Sequence, residues 1–321
     1  MNVRIGLAIG QWPIKDPQAG AILALVDDFE ALEIDSLWMS DRLISSQLIL
    51  EPITFLSYIA GRLRKMKLGT STLVLPTRNP IVLAKELATL DFLSQGRIFP
   101  AIGLGGDESK DLQAIGVNTK ERAGRTDEMI VLMRRLWTEE NVSFKGKFFS
   151  VEDATVMPRP WQKNGLPIWI GGRSQAAMRR TGRLGDGWLV SSVSPAEVQA
   201  GIATIRAHAA EAGRQVPEDH YGVLIPFYFA NSSEKAFEIA GRSVRPRADL
   251  PIAAFTAFGN PAQVRGKIEA YIAAGASKFV LRPCGPFESW RGQISILAEE
   301  VIRPLQTPGG LNYRAKSSAN K

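Results

Sequence analysis

Gly171-Gly172-Arg173-Ser174 stands between the apolar run Pro167-Ile168-Trp169-Ile170 and a helical pattern that opens at Ser174. Glycines at a strand end leave backbone N–H groups open, and a helix N-terminus adds orphan donors and a partial positive charge. The four residues therefore make an anion site: Ser174 can cap the helix or donate to a phosphate, and Arg173 can add a charge-assisted bond. A plain turn and cap would use the same letters. At the end of another apolar run, Leu37-Trp38-Met39-Ser40, come Asp41 and Arg42. An arginine stays protonated near neutral pH, so Arg42 can pin a carboxylate or stabilise a developing oxyanion but cannot shuttle a proton. A surface ion pair between the two is the alternative. Arg78 and Asn79 precede Pro80, where Asn79 either meets a substrate or caps the helix that follows. The stretch Thr89 to Arg97 closes a helix on a Ser-x-Gly stop and runs into a strand ending Ile102-Gly103-Leu104-Gly105-Gly106, whose bare backbone leaves room for something large and flat. It is no dinucleotide fingerprint, because the third glycine of G-x-G-x-x-G would fall on Glu108. Arg125 and Glu128, at i, i+3 on one helix face, read as structural.

Composition narrows the chemistry. The 321 residues are 45% hydrophobic and 22% charged, the balance of a water-facing globular protein. No run approaches the ~18 charge-free apolar residues of a membrane span, and Met1 to Gly10 carries no basic leader, so a cytoplasmic protein is expected. Cys284 is the one cysteine, and His208 and His220 are the two histidines, too few for a disulfide or a transition-metal cluster; no metal is expected. Lysine plus arginine exceed aspartate plus glutamate, 39 to 32, and part of that excess lies in the acid-free tail Leu311 to Lys321. The basic residues are scattered without interleaved aromatics, which argues against nucleic acid and for a phosphorylated or polyanionic small ligand.

These groups need a frame. Apolar strand runs alternate with helical ones: Val3 to Ile9, Asp35 to Met39, Lys67 to Leu75, Ile98 to Leu104, Pro167 to Ile170, Gly187 to Ser191, Tyr221 to Ala230 and Lys278 to Arg282 are strands, each followed by a helix. Eight such units in ~300 residues predict a (β/α)8 TIM barrel, since buried parallel strands read as unbroken apolar runs. One domain is expected over 1–306, with insertions at about 140–165, where a hairpin is read at Val142 to Phe149, and about 245–260. Residues 307–321 are expected to be a disordered basic tail.

Taken in order, Leu37 to Arg42, Leu68 to Leu73, Arg78-Asn79-Pro80, Thr89 to Gly106, Arg125 to Glu128, Pro167 to Ser174 and Gly185-Asp186-Gly187-Trp188 resemble the luciferase-like monooxygenase superfamily of flavin- and deazaflavin-dependent oxidoreductases, over roughly residues 3–300. The resemblance implies a barrel holding reduced FMN, or the deazaflavin coenzyme F420, at the C-terminal ends of its strands. It places the cofactor phosphate on Gly171, Gly172, Arg173 and Ser174, and a backbone bulge at Ser71, Thr72 and Leu73 behind the ring, often with a cis peptide. Gly103, Gly105 and Gly106 would let the cofactor tail pass, Arg78 and Asn79 would face the substrate, and Asp41 and Arg42 would be catalytic, Arg42 standing where relatives carry histidine. The leading expectation is monooxygenation of a small organic substrate with reduced FMN and oxygen, fed by a separate flavin reductase, as a homodimer. The alternative is F420-dependent hydride transfer with a deazaflavin partner enzyme; a non-catalytic flavin-binding barrel is a third reading. Hydrolase or aldolase barrels are disfavoured for want of a metal cluster or an evident Schiff-base lysine.

Overall fold

The computed structural model describes residues 2–13, 18–106 and 109–308. Eight parallel strands close into a ring in the order β1 (Arg4–Ala8), β2 (Ser36–Met39), β3 (Lys67–Val74), β4 (Ile98–Gly103), β7 (Trp169–Gly171), β8 (Gly187–Ser191), β9 (Tyr221–Phe229) and β11 (Lys278–Pro283). Pairing of β11 with β1 completes the circuit. The fold is thus the predicted (β/α)8 barrel, with a helix after every ring strand. Three strands lie outside the ring: the antiparallel hairpin β5 (Val142–Lys145) and β6 (Ser150–Ala154), and β10 (Ala257–Gly259).

One seam interrupts the wall. Along a single edge of β9, β8 pairs as far as Leu224 and β10 takes over from Phe227. Pro226 falls between the two, where its missing N–H leaves no ladder bond unmade.

The inside of the ring is solid. Ala8, Trp38, Ala101, Trp169, Leu189 and Val280 fill it, and glycines make space for the two indoles: a Cβ on Gly69 would come within 2.5 Å of Trp38, and one on Gly187 within 2.5 Å of Trp169. At the N-terminal end, Lys278 forms an ion pair with Asp35, which Lys67 also reaches at 3.3 Å, and the Lys278 ammonium lies 5.6 Å from the Trp38 ring.

The excursion around 140–165 is fixed to the outside of the ring. Its second arm begins at Ser150, later than the hairpin read at Val142 to Phe149, because the turn occupies 146–149. The Glu128 carboxylate accepts from the N–H groups of Lys147, Phe148 and Phe149 at 2.7, 2.9 and 3.3 Å, and Arg125 lies over both phenyl rings, so this pair is structural as expected. Asp91, fully buried, accepts from the backbone and side chain of Gln162 at 3.1 and 2.9 Å, while Arg97 donates to the carbonyls of Ala60, Met66 and Ser94. Thr89 to Arg97 is therefore a joint at the closed end of the barrel, and only its continuation through Gly103 reaches the open end. Of the expected tail, Thr307 is tied down by bonds of its backbone and hydroxyl to Val3, and 309–321 lie outside the described residues.

Candidate functional site

A cavity of about 240 Å³ opens at the C-terminal ends of the strands. Its floor is Ala8, Leu224 and Pro226, and its walls carry the hydroxyls of Ser40, Ser71, Ser191, Ser192 and Ser243. Gln11, Arg245 and Arg282 complete the polar lining. Among the described residues Ser40 Oγ is buried without a hydrogen-bond partner, as a group awaiting a ligand would be.

The β3 edge of this cavity is irregular. The Ser71–Thr72 peptide is cis, and the register with β4 shifts between Ser71 and Leu73, leaving Thr72 out of the ladder. The Thr72 side chain lies between two backbone positions: a Cβ on Gly103 would meet its Oγ1 at 2.4 Å, and one on Gly171 its Cγ2 at 2.5 Å. Ser71, Thr72, Gly103 and Gly171, chosen from separate stretches of sequence, thus converge, and the two glycines are required by packing. Leu73 is buried in the core behind them. Gly106 faces open space, and Gly105 has φ +74°, a conformation that favours glycine.

Beyond β7 the chain turns at Gly172, with φ +110° and its carbonyl bonded to Trp188 Nε1 at 2.8 Å. Ser174 caps the helix Gln175–Leu184 by accepting from Ala177 N at 3.2 Å. Arg173 and Ser174 are exposed, so the guanidinium and the remaining N–H groups of the first turn are open to an anion.

The ion pair that stood as the alternative for Asp41 and Arg42 is not formed among the described residues. Asp41 is buried: Oδ2 accepts from Val74 N and Oδ1 from Arg78 Nη2, both at 2.9 Å. Arg78 also donates to Glu51 at 2.9 Å, and Glu51 caps the helix Pro52–Arg62. Burial pushes the Asp41 carboxyl up, against the pull of Arg78 and Val74 N–H. Asp41 therefore fastens the end of β3 to the following helix, while Arg42 is exposed and makes no hydrogen bond or ion pair among the described residues. Asn79 is a cap, accepting from Ile81 N and Val82 N at 2.9 and 3.3 Å. None of Asp41, Arg42, Arg78 and Asn79 lines the cavity.

Sequence reasoning passed over the arginines that do. Arg282 is the penultimate residue of β11, at the end of the barrel where functional groups collect, and that position was the available signal. Arg245 has no local pattern to mark it. Arg245 has no partner among the described residues, and Arg282 donates only to the Ser243 carbonyl, at 3.0 Å. Two positive charges thus face the cavity without a carboxylate to balance them among the described residues.

The model of the luciferase-like monooxygenase family matches residues 2–251. An F420-dependent glucose-6-phosphate dehydrogenase of Amycolatopsis mediterranei is 26% identical over 314 residues, covering 87% of this chain and 92% of that protein. One from Kineococcus radiotolerans is 34% identical over 167 residues, where the match spans about half of each chain, 50% and 48%. The crystal structure of monooxygenase RslO1 from Streptomyces bottropensis superposes with a TM-score of 0.79 at 24% identity, over 94% of this chain and 99% of that one, a likeness of fold.

Proposed function

Because the chain belongs to the luciferase-like monooxygenase family and is a flavin- or deazaflavin-dependent oxidoreductase, we propose that it is an F420-dependent dehydrogenase of a small polyhydroxylated anion such as a sugar phosphate. The observation that carries this reading is the pair of guanidiniums, Arg245 and Arg282, unbalanced among the described residues, in a cavity whose other polar lining is Gln11 and five serines. The relatives, named as F420-dependent dehydrogenases, support hydride transfer over the FMN and oxygen chemistry expected first.

The residues present fit the cofactor class. The backbone bulge at Ser71 and Thr72, the open space beside Gly106 and the exposed anion-binding turn Gly172-Arg173-Ser174 would hold the ring, the tail and the phosphate. When bound, the deazaflavin accepts or returns a hydride. The chain's own part is to fix the substrate: Arg245 and Arg282 hold its anionic group, and the unpartnered Ser40 hydroxyl bonds its reacting oxygen. No nicotinamide motif is present in the sequence, so a separate enzyme would turn the deazaflavin over. Among the described residues no cluster of His, Cys, Asp and Glu could hold a metal, and no helix is long and apolar enough to cross a membrane. This reading sets the protein to work in the cytoplasm, without nucleic acid.

Glucose 6-phosphate and oxidised F420, mixed anaerobically with the full chain, should give loss of deazaflavin absorbance. Arg173→Ala should weaken F420 binding about tenfold, roughly 1.4 kcal/mol. Turnover only with reduced FMN and oxygen would return the choice to the monooxygenase.

We also infer a homodimer joined through the helices Pro52–Arg62 and Pro80–Ser94, where Tyr58, Val82, Phe92 and Leu93 are exposed, Leu93 to 72%. Leu93→Asp should sediment as a monomer. If its mass matches that of the parent, this face is not the interface.

A further inference from the structure

We propose that Arg247 is a positioning residue that sets the anion selectivity of the cavity by pinning the segment 241–249 across the barrel mouth, an inference that rests on the anionic-substrate reading above. Arg247 lies in a connecting segment, yet its side chain is only 8% exposed. It donates to the Ser192 carbonyl at 2.6 Å and to both oxygens of Asp249 at 2.9 and 2.6 Å, and pairs with Glu197 at 3.0 Å. Glu197 is itself fixed, because it closes the capping box of the helix Pro195–Glu211 by accepting from Ser194 N at 2.7 Å. The anchor therefore reaches a rigid helix end and the end of β8, and Ser192 is one of the cavity-lining residues.

A second anchor holds the other side of the segment. Arg282 donates to the Ser243 carbonyl at 3.0 Å, Gly285 N donates to Ser243 Oγ at 3.4 Å, and Val244 is buried against Tyr228, Phe255, Phe258 and Cys284. Arg245 stands midway, two residues from Ser243 and two from Arg247, and no bond of its own guanidinium restrains it among the described residues. Two residues of chain span at most about 7 Å, so the two anchors decide where that guanidinium sits. One anchor is an anion ligand in its own right. The other, Arg247, is not among the cavity-lining residues, and its planar fork serves a carbonyl and two carboxylates together, which a lysine cannot do.

The test compares Arg247→Met and Arg247→Lys with the parent full-length chain, titrating glucose 6-phosphate, inorganic phosphate and glucose calorimetrically and measuring anaerobic F420 turnover. The expected result for Arg247→Met is about tenfold weaker binding of glucose 6-phosphate and phosphate, unchanged binding of glucose, and KM rising with kcat held within about threefold. Arg247→Lys should recover less than half of that loss. Equal weakening for glucose and glucose 6-phosphate would mean a merely structural role and overturn the assignment, as would a phosphate preference kept intact in both variants. A parent that binds glucose 6-phosphate no better than glucose would instead overturn the anionic-substrate reading, and this assignment with it. Should Arg247→Met fail to fold, Glu197→Gln takes its place beside Arg247→Lys, with the same expectation.

Discussion

Lys278→Met is expected to destabilise the protein by about 3–5 kcal/mol, because it leaves the Asp35 carboxylate buried and short of its main partner. In a chain of this size that is a fall in Tm of roughly 10 °C. The double variant Lys278→Met, Asp35→Leu should regain most of the loss, since removing both charges spares both desolvation costs. Thermal unfolding of the parent, both single variants and the double variant measures the coupling; single and double variants of equal stability would show that the pair does not matter. Burial would push the Asp35 carboxyl up, but the charges of Lys278 and Lys67 overcome it and hold it at about 2. Its contribution is therefore present above about pH 4 and is lost as pH falls toward 2. Burial lowers the Lys278 ammonium to about 8 from 10.5, so between those values the unfolded chain binds more protons and this group's contribution rises with pH. Activity of the folded variant should survive, because Lys278 starts the strand near whose far end Arg282 stands, four residues or about 13 Å away.

If the proposed dehydrogenase reading holds, Arg282→Ala should lower kcat/KM for glucose 6-phosphate by about 10²-fold. Two losses combine: a charge that faces the cavity without a carboxylate partner, and the bond that holds Ser243. Removing one partner of a desolvated, charge-assisted contact costs about 2–5 kcal/mol, of which an open-mouthed cavity should show the lower part. Steady-state kinetics with F420 under nitrogen give the number. A fall of less than threefold would mean that the substrate's anion is held elsewhere.

The ring was legible because its strands are buried on both faces: Gly187–Ser191 and Tyr221–Phe229 are unbroken apolar runs that admit few other readings. Ala257–Gly259 was missed, since three residues carry no period. At the site, tertiary distance decides partners that local spacing cannot name. Asp41 stands beside Arg42 in sequence but bonds to Arg78, 37 positions away. Arg245 and Arg282 meet only because the segment after β9 folds back over β11. Of the cavity serines, Ser71 was marked by the resemblance; Ser40, Ser191, Ser192 and Ser243 are too common a residue type to be singled out without the fold.

The seam in β9 gives this barrel a division of labour in what mutation can reach. Ring closure depends on β8, β9 and β11, whereas Ser243, Val244 and Arg245 contribute no rung to it. Codons for Ser243 and Arg245, both exposed, can drift without touching the ladder, while Val244 stays tied to the apolar cluster it packs in. Substitution in this one short insert would then recolour the cavity and leave the framework that folds around Trp38 and Trp169 as it was.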